Sequence, residues 1–129
     1  MSERRRVSSG SPWEPKVGIC RALRDGDRVL VSGTAPIWPD GSCDPDAAVQ
    51  TRRCLEIITT ALGELGAEAA DVVRTRMFIT DAAEGEAIAA VHAEFFGATP
   101  PVSTMVVVSG FLDPRWKVEI EAEAMSPLG

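Results

Sequence analysis

The spacing of apolar and polar positions changes several times along this chain, and each change marks a predicted element. In "VGICRALRDGDRVLVSG" two runs, 17–23 and 28–33, flank Asp25-Gly26, a pair that tolerates the positive φ of a tight turn and so predicts a hairpin. Pro39-Asp40-Gly41 marks a second turn. Asp44 then stands as an N-cap with Pro45 at the first helical position, and Cys54, Ile58, Ala61, Leu62 and Leu65 recur at helical spacing until Gly66 stops the run. The β-branched and apolar run 72–80 predicts a strand, and Asp81 with Glu84 forms a capping-box pattern opening a second helix. Ile88, Val91 and Phe95 make the buried stripe of that helix, which Gly97 ends. A strand follows Pro100-Pro101, then "FLDPRW" as a loop, then "KVEIEAEAM" as the last strand. The predicted order is ββαβαββ, an α+β domain with two helices on one face of a mixed sheet.

The last strand alternates most clearly. Val118, Ile120, Ala122 and Ala124 point one way, and Lys117, Glu119, Glu121 and Glu123 point the other. In strand 72–80 the same logic puts Arg74, Arg76 and Phe78 opposite Val73, Thr75, Met77 and Ile79. Arginines on one strand and glutamates on another are thus placed to share the helix-free face. Strand 103–109 is apolar on both faces, with Thr104, Val106 and Val108 on one and Met105 and Val107 on the other. A helix-free face of this mixture is what a homo-oligomer buries, the alternative being a solvated charged face.

Composition narrows the function classes. A chain of 129 residues, 45% hydrophobic and 25% charged, fits one globular domain that buries roughly two thirds of its unfolded surface. Residues 1–16 are expected as an N-terminal arm and 17–129 as a single domain. The longest uncharged stretch, 95–112, is interrupted by Gly97, Pro100 and Pro101 and falls short of the ~20 apolar residues of a membrane helix. The N-terminus "MSERRRVSSGSP" has arginines but no apolar run behind them, so a secretory signal is not expected and a cytoplasmic location is the default. A net charge of −6 opposes a phosphate backbone, and the lone basic run, Arg4 to Arg6, reads as a solvated terminus rather than an RNA-binding arm. Cys20, Cys43 and Cys54 lack CxxC spacing and read as reduced thiols, Cys54 in the core.

Several stretches together resemble the RidA, or YjgF, family: "VSGTAP", "QTRRCLEIITTALGELGAEAADVVRTRMFITD", "HAEFFG" and "VEIEAEAM", in order over residues 17–125. The resemblance implies a chorismate-mutase-like protomer that assembles as a homotrimer, with small-ligand clefts between subunits. It also implies hydrolysis of reactive enamines or imines derived from amino acids, such as 2-aminoacrylate, to a keto acid and ammonia, with no cofactor and no metal. An older family label is endoribonuclease L-PSP. Such chemistry needs a cation for the substrate carboxylate, a role suited to the arginine fork, and a carboxylate to orient or deprotonate water.

The family arginine lies in Pro-Ala-Arg-Ser, where this chain reads Pro100-Pro101-Val102-Ser103. Valine therefore stands where the resemblance puts the anchor. The family's first-strand tyrosine aligns with Ile19, a helix asparagine with Ala89, and the position two beyond the arginine is Thr104. Glu119 matches the family's acidic residue and is the candidate catalytic group, against the alternative of an outward-facing glutamate. Gly33 and Thr34 are either cleft backbone or a plain strand exit. Arg76 and Arg115 are candidate substitute anchors, each with surface ion pairing as its alternative. His92, the single histidine, titrates near neutrality, and its place between Ile88 and Phe95 favours packing over catalysis. Trp13 is expected either to lid the cleft or to clamp the arm. Three functions follow: a RidA-like hydrolase or deaminase of a small enamine, imine or carbonyl compound, with the standard activity weakened by Val102; a non-catalytic ligand-binding or regulatory trimer; and, ranked last, an endoribonuclease. The expected partners are a small molecule and further copies of the chain, with no membrane and no nucleic acid.

Overall fold

The computed structural model describes residues 4–127. Their elements are β1 (Arg5–Val7), α1 (Trp13–Val17), β2 (Ala22–Asp25), β3 (Arg28–Thr34), α2 (Ala47–Glu64), β4 (Val72–Ile79), α3 (Gly85–Phe96), β5 (Val102–Val107) and β6 (Val118–Met125). The strands form one sheet in the order β1-β2-β3-β6-β4-β5. Only β4 and β5 run parallel, joined by α3 as crossover; every other pair is antiparallel. The mixed sheet with α2 and α3 against it is the predicted α+β architecture, with two elements added before the predicted hairpin.

Those additions correct the reading of the N-terminus. Arg5–Val7 pair with Ala22–Arg24, so Arg5 and Arg6 of the arginine run belong to an edge strand and not to a mobile arm. A short edge strand studded with charge discourages pairing with another chain. Residues 13–17 form a turn of helix, and the predicted first strand begins only at Ala22. Asp25 faces Arg28 across the hairpin, and Gly26 takes a φ of 60° between them.

The central strand is β6, because its alternation is clean enough to pair on both edges: Val118, Ile120, Ala122 and Ala124 are all buried. Helix α2 covers it with Cys54, Leu55, Ile58, Ala61 and Leu62. The cap of α2 is Asp46, whose side chain accepts from the Val49 N–H at 3.0 Å, whereas Asp44 accepts from Asp46 N–H. Pro45 therefore precedes the helix instead of opening it. At the far end Gly66, with φ 80°, lets Ala67 and Gly66 donate back to Leu62 and Gly63, the Schellman closure. The Leu65 carbonyl, left over by the helix, is taken by the buried Arg24, a cation at the negative end of the helix dipole.

Three side-chain placements depart from the simple periodicities. Pairing slips between Val72 and Arg74, so the extra residue Val73 turns out, 43% exposed, and Val72 takes the core position. Asp81 caps a 3-10 turn through Ala83 N–H, and α3 starts at Gly85 without a returning Glu84 bond. On α3 the buried aromatic is Phe96, with Phe95 only half-buried. The sheet's other face carries the expected ion pairs: Arg76 reaches Glu121 at 3.0 Å and Glu123 at 3.6 Å.

Candidate functional site

A cleft of about 740 Å³ opens where β3 leaves the sheet and β6 joins it. The segment from Ser9 to Ile19 forms one wall, the loop from Ala35 to Ser42 a second, and Leu112 to Trp116 a third, with Arg53 and Ile57 of α2 completing the rim. Gly33 and Glu119 lie against it from the two strands.

The meeting of those two residues follows from a bulge. Val31 pairs with Ala122 and Thr34 with Ile120, so β3 carries one more residue than β6 over this span. Bulges re-aim side chains at the ends of strands. Here the slip places Gly33 so that a methyl on it would stand 3.7 Å from Glu119 Oε1. The absent side chain leaves the carboxylate open on that side. Among the described residues no protein group donates a hydrogen bond to it, and burial pushes its pKa above the ordinary value despite the opposing pull of Arg21. A carboxylate in this state is short of hydration and receptive to a proton.

Behind Gly33 lies a buried ion pair that the sequence reading did not name. Arg21, at 8% exposure, donates to the Gly33 carbonyl at 3.0 Å and to Thr34 Oγ1 at 3.1 Å. Its Nε lies 3.3 Å from Glu14 Oε2, outside hydrogen-bond geometry. Glu14, 2% exposed, also accepts from the Ser8 and Ser9 hydroxyls and the Ser9 N–H. Burial raises the Glu14 pKa, but these donors and Arg21 outweigh it and hold the group below its usual value. For Arg21 burial disfavours the charged form, opposed by Glu14 and Glu119. The pair thus bolts the N-terminal segment to the cleft wall.

Of the candidate residues, the structure gathers Ile19, Gly33, Glu119 and Arg115 around the cleft, with Thr34 buried just behind. Arg115 faces it already engaged: its Nε and Nη2 hold Asp113 and its Nη1 donates to the Gly41 carbonyl. Those hydrogen bonds and the mutual charge raise the Arg115 pKa and lower that of Asp113. Arg76 does not reach the cleft; it lines a separate hollow of about 150 Å³ with Arg74, Glu121 and Glu123. Val102 and Thr104 lie exposed on edge strand β5, and Ala89 is exposed on α3. Within one chain none of the three lines the cleft, and Val102 and Thr104 stand apart from Glu119 because β5 is two strands away from β6.

His92 packs as its spacing suggested. Its Nε2 lies 2.8 Å from Thr75 Oγ1, its ring meets Phe96 at 4.8 Å, and burial lowers its pKa. Trp13 lines the cleft at 37% exposure, on the segment that Glu14 anchors. Among the described residues no group of acidic, histidine or cysteine side chains is arranged to hold a metal ion, and no helix is long and apolar enough to cross a membrane. Sequence reasoning missed Glu14, Arg21, Arg53, Trp38 and Trp116. Trp38, beside the Pro39-Asp40-Gly41 turn, carried a usable signal: a large aromatic in a polar loop.

The sequence model of the family described as endoribonuclease L-PSP matches residues 13–126. An uncharacterized protein of Streptomyces coelicolor is 40% identical over 123 residues, covering 93% of this chain and 90% of its own. The 2-iminobutanoate/2-iminopropanoate deaminase of Escherichia coli is 31% identical over 104 residues, 78% of this chain and 80% of its own. Among solved structures, a Mycobacterium tuberculosis member of the YjgF/YER057c/UK114 family is 45% identical and superimposes with a TM-score of 0.88 over 95% of this chain and 99% of its own. Escherichia coli TdcF with bound serine is 26% identical, with a TM-score of 0.79 over 94% and 93% of the two chains.

Proposed function

We propose, from the premise that the chain belongs to the endoribonuclease L-PSP family, the YjgF/RidA group of proteins, that it hydrolyses a small imine, enamine or carbonyl-derived compound in the cleft beside Glu119. The observation that carries this reading is the Glu119 carboxylate at the cleft, open beside Gly33 and without a protein donor. Ionised, it takes a proton from water as the oxygen attacks the carbon of a C=N bond. That proton passes to the nitrogen, giving a carbinolamine; Glu119 then carries the proton of the new hydroxyl to the amine, the C–N bond breaks as the C=O bond forms, and a carbonyl compound and ammonia leave. A base whose pKa burial has raised is closer to the operating pH and better suited to taking and returning that proton.

The identity to a named deaminase supports the reaction type, while Val102 argues against the usual carboxylate anchor. In a homotrimer, Val102, Thr104 and Ala89 would come to the cleft from a neighbouring subunit. The exposed apolar side chains of Val102 and Val106, on the helix-free face of edge strand β5, support such an assembly. The missing charge at Val102 also favours a second reading, a trimer that binds a ligand without transforming it. The chain's acidity speaks against ribonuclease action.

The test generates 2-iminopropionate and bulkier imines in place from amino acids with an amino-acid oxidase, and follows ammonia release. Turnover of at least one imine is expected, rising with pH through a value above 4.5, the ordinary glutamate pKa, and falling at least 100-fold in Glu119→Gln. Equal rates in the parent and Glu119→Gln would remove Glu119 from the chemistry. A stabilising ligand recovered unchanged, with no imine turned over, would favour the binding reading.

A further inference from the structure

The chain has three tryptophans, and all three, Trp13, Trp38 and Trp116, line this one cleft. Indole is the largest apolar side chain and ordinarily goes where its area is buried. Here only Trp116 is buried, at 7% exposure, while Trp13 is 37% exposed and Trp38 half-buried. Two of the rings are steadied by cations: Lys16 Nζ lies 5.3 Å from the Trp13 centroid, and the Arg53 guanidinium 6.0 Å from that of Trp38. Ile19, Ile37 and Ile57 extend the apolar lining.

The cations of the cleft are meanwhile committed to the protein. Arg21 is paired with Glu14 and the Gly33 carbonyl, Arg115 with Asp113, and Arg53 donates from Nε to the Ile37 carbonyl. Val102 adds none.

We infer that the cleft takes a flat aromatic or extended conjugated carbonyl or imine compound, held by stacking on the tryptophans and apolar burial instead of by pairing of a carboxylate. This rests on the hydrolytic reading for the reacting group and adds to it the class of substrate. The ring lies among the indoles, and the C=O or C=N group faces Glu119.

The experiment is calorimetric titration of the full-length protein with three probes, pyruvate, phenylpyruvate and acetophenone, with tryptophan emission read in parallel. Both ring compounds are expected to bind at least tenfold more tightly than pyruvate, a difference of about 1.4 kcal/mol, and to change the emission. Trp38→Ala should weaken the ring compounds about tenfold, and Trp38→Phe should restore most of the loss. Pyruvate binding as tightly as phenylpyruvate would overturn the inference, as would no binding by either ring compound. The wild-type comparison stands even if a tryptophan variant fails to fold. Ring binding with no imine turned over removes the hydrolytic reading and leaves the ligand class; turnover of 2-iminopropionate without ring preference does the reverse.

Discussion

Removing the Glu14 carboxylate tests whether the buried ion pair holds the cleft wall. With 3.3 Å between Arg21 Nε and Glu14 Oε2, the gross attraction at an effective dielectric of about 20 is about 5 kcal/mol. Much of that offsets the desolvation of two groups at 2% and 8% exposure. Breaking such a pair from one side leaves the other charge buried alone and typically costs about 3–5 kcal/mol. Glu14→Gln does so while keeping the shape of the side chain. It also turns one acceptor oxygen into a donor facing the donors Ser8, Ser9 and Arg21. Urea unfolding at pH 7 should therefore show Glu14→Gln destabilised by about 3–5 kcal/mol. In the double variant Glu14→Leu with Arg21→Met no charge is stranded, and the residual loss comes from the Gly33 carbonyl and Thr34 hydroxyl left without a donor and the Ser8 and Ser9 donors left without an acceptor, about 1–3 kcal/mol for each that water does not reach.

The pH dependence follows from the direction of the Glu14 shift. Its folded pKa lies below the ordinary 4.5, so the folded state binds this proton more weakly than the unfolded chain does. The stabilisation is then complete above that ordinary value and disappears as pH falls through the folded one. The gap between parent and Glu14→Gln should be constant at neutral pH and should close in acid below about pH 4.5. Because Glu14 carbonyl oxygen also receives Gly18 and Ile19 N–H, loosening this turn moves Trp13 and Ile19 and should weaken cleft ligands. Single variants within 1 kcal/mol of the parent, or additive with each other, would refute the account.

Two further outcomes concern groups that organise the fold around the cleft. Gln50 is wholly buried; its Nε2 donates to the Asp44 and Arg115 carbonyls and its Oε1 accepts from Lys117 N–H, so Gln50→Leu should cost about 2–4 kcal/mol by thermal or urea unfolding, and a loss under 1 kcal/mol would refute this clamp. Phe96→Ala, at a position 1% exposed, should cost about 3–5 kcal/mol by urea unfolding, whereas Phe95→Ala should cost clearly less; equal losses would mean that α3 turns a different stripe inward.

How much of this was legible follows from how local each signal is. Helix α2 and strand β6 carry their own periodicity and stops, and both formed close to where the pattern put them. Strand β1 was illegible because three arginines look the same on a solvated arm and on an edge strand until a partner appears; Val7 alone gave no period. Val73 was misplaced because alternation assumes one residue against one, and the bulge breaks that count. Phe95 and Phe96 are adjacent, so the 3.6-residue period could not choose between them. The same limit governs the site. Glu119 and Gly33 were singled out as candidates through alternation and resemblance, but the Glu14–Arg21 pair joins two elements with no shared period, and the three tryptophans converge only when separate loops close. Arg76 shows the point most directly. It shares the helix-free face with Glu119, as its strand position required, yet the β4–β6 register sets it opposite Glu121 while Phe78 stands opposite Glu119. Register, a long-range property, thus commits Arg76 to its glutamates and leaves the cleft to arginines of other elements.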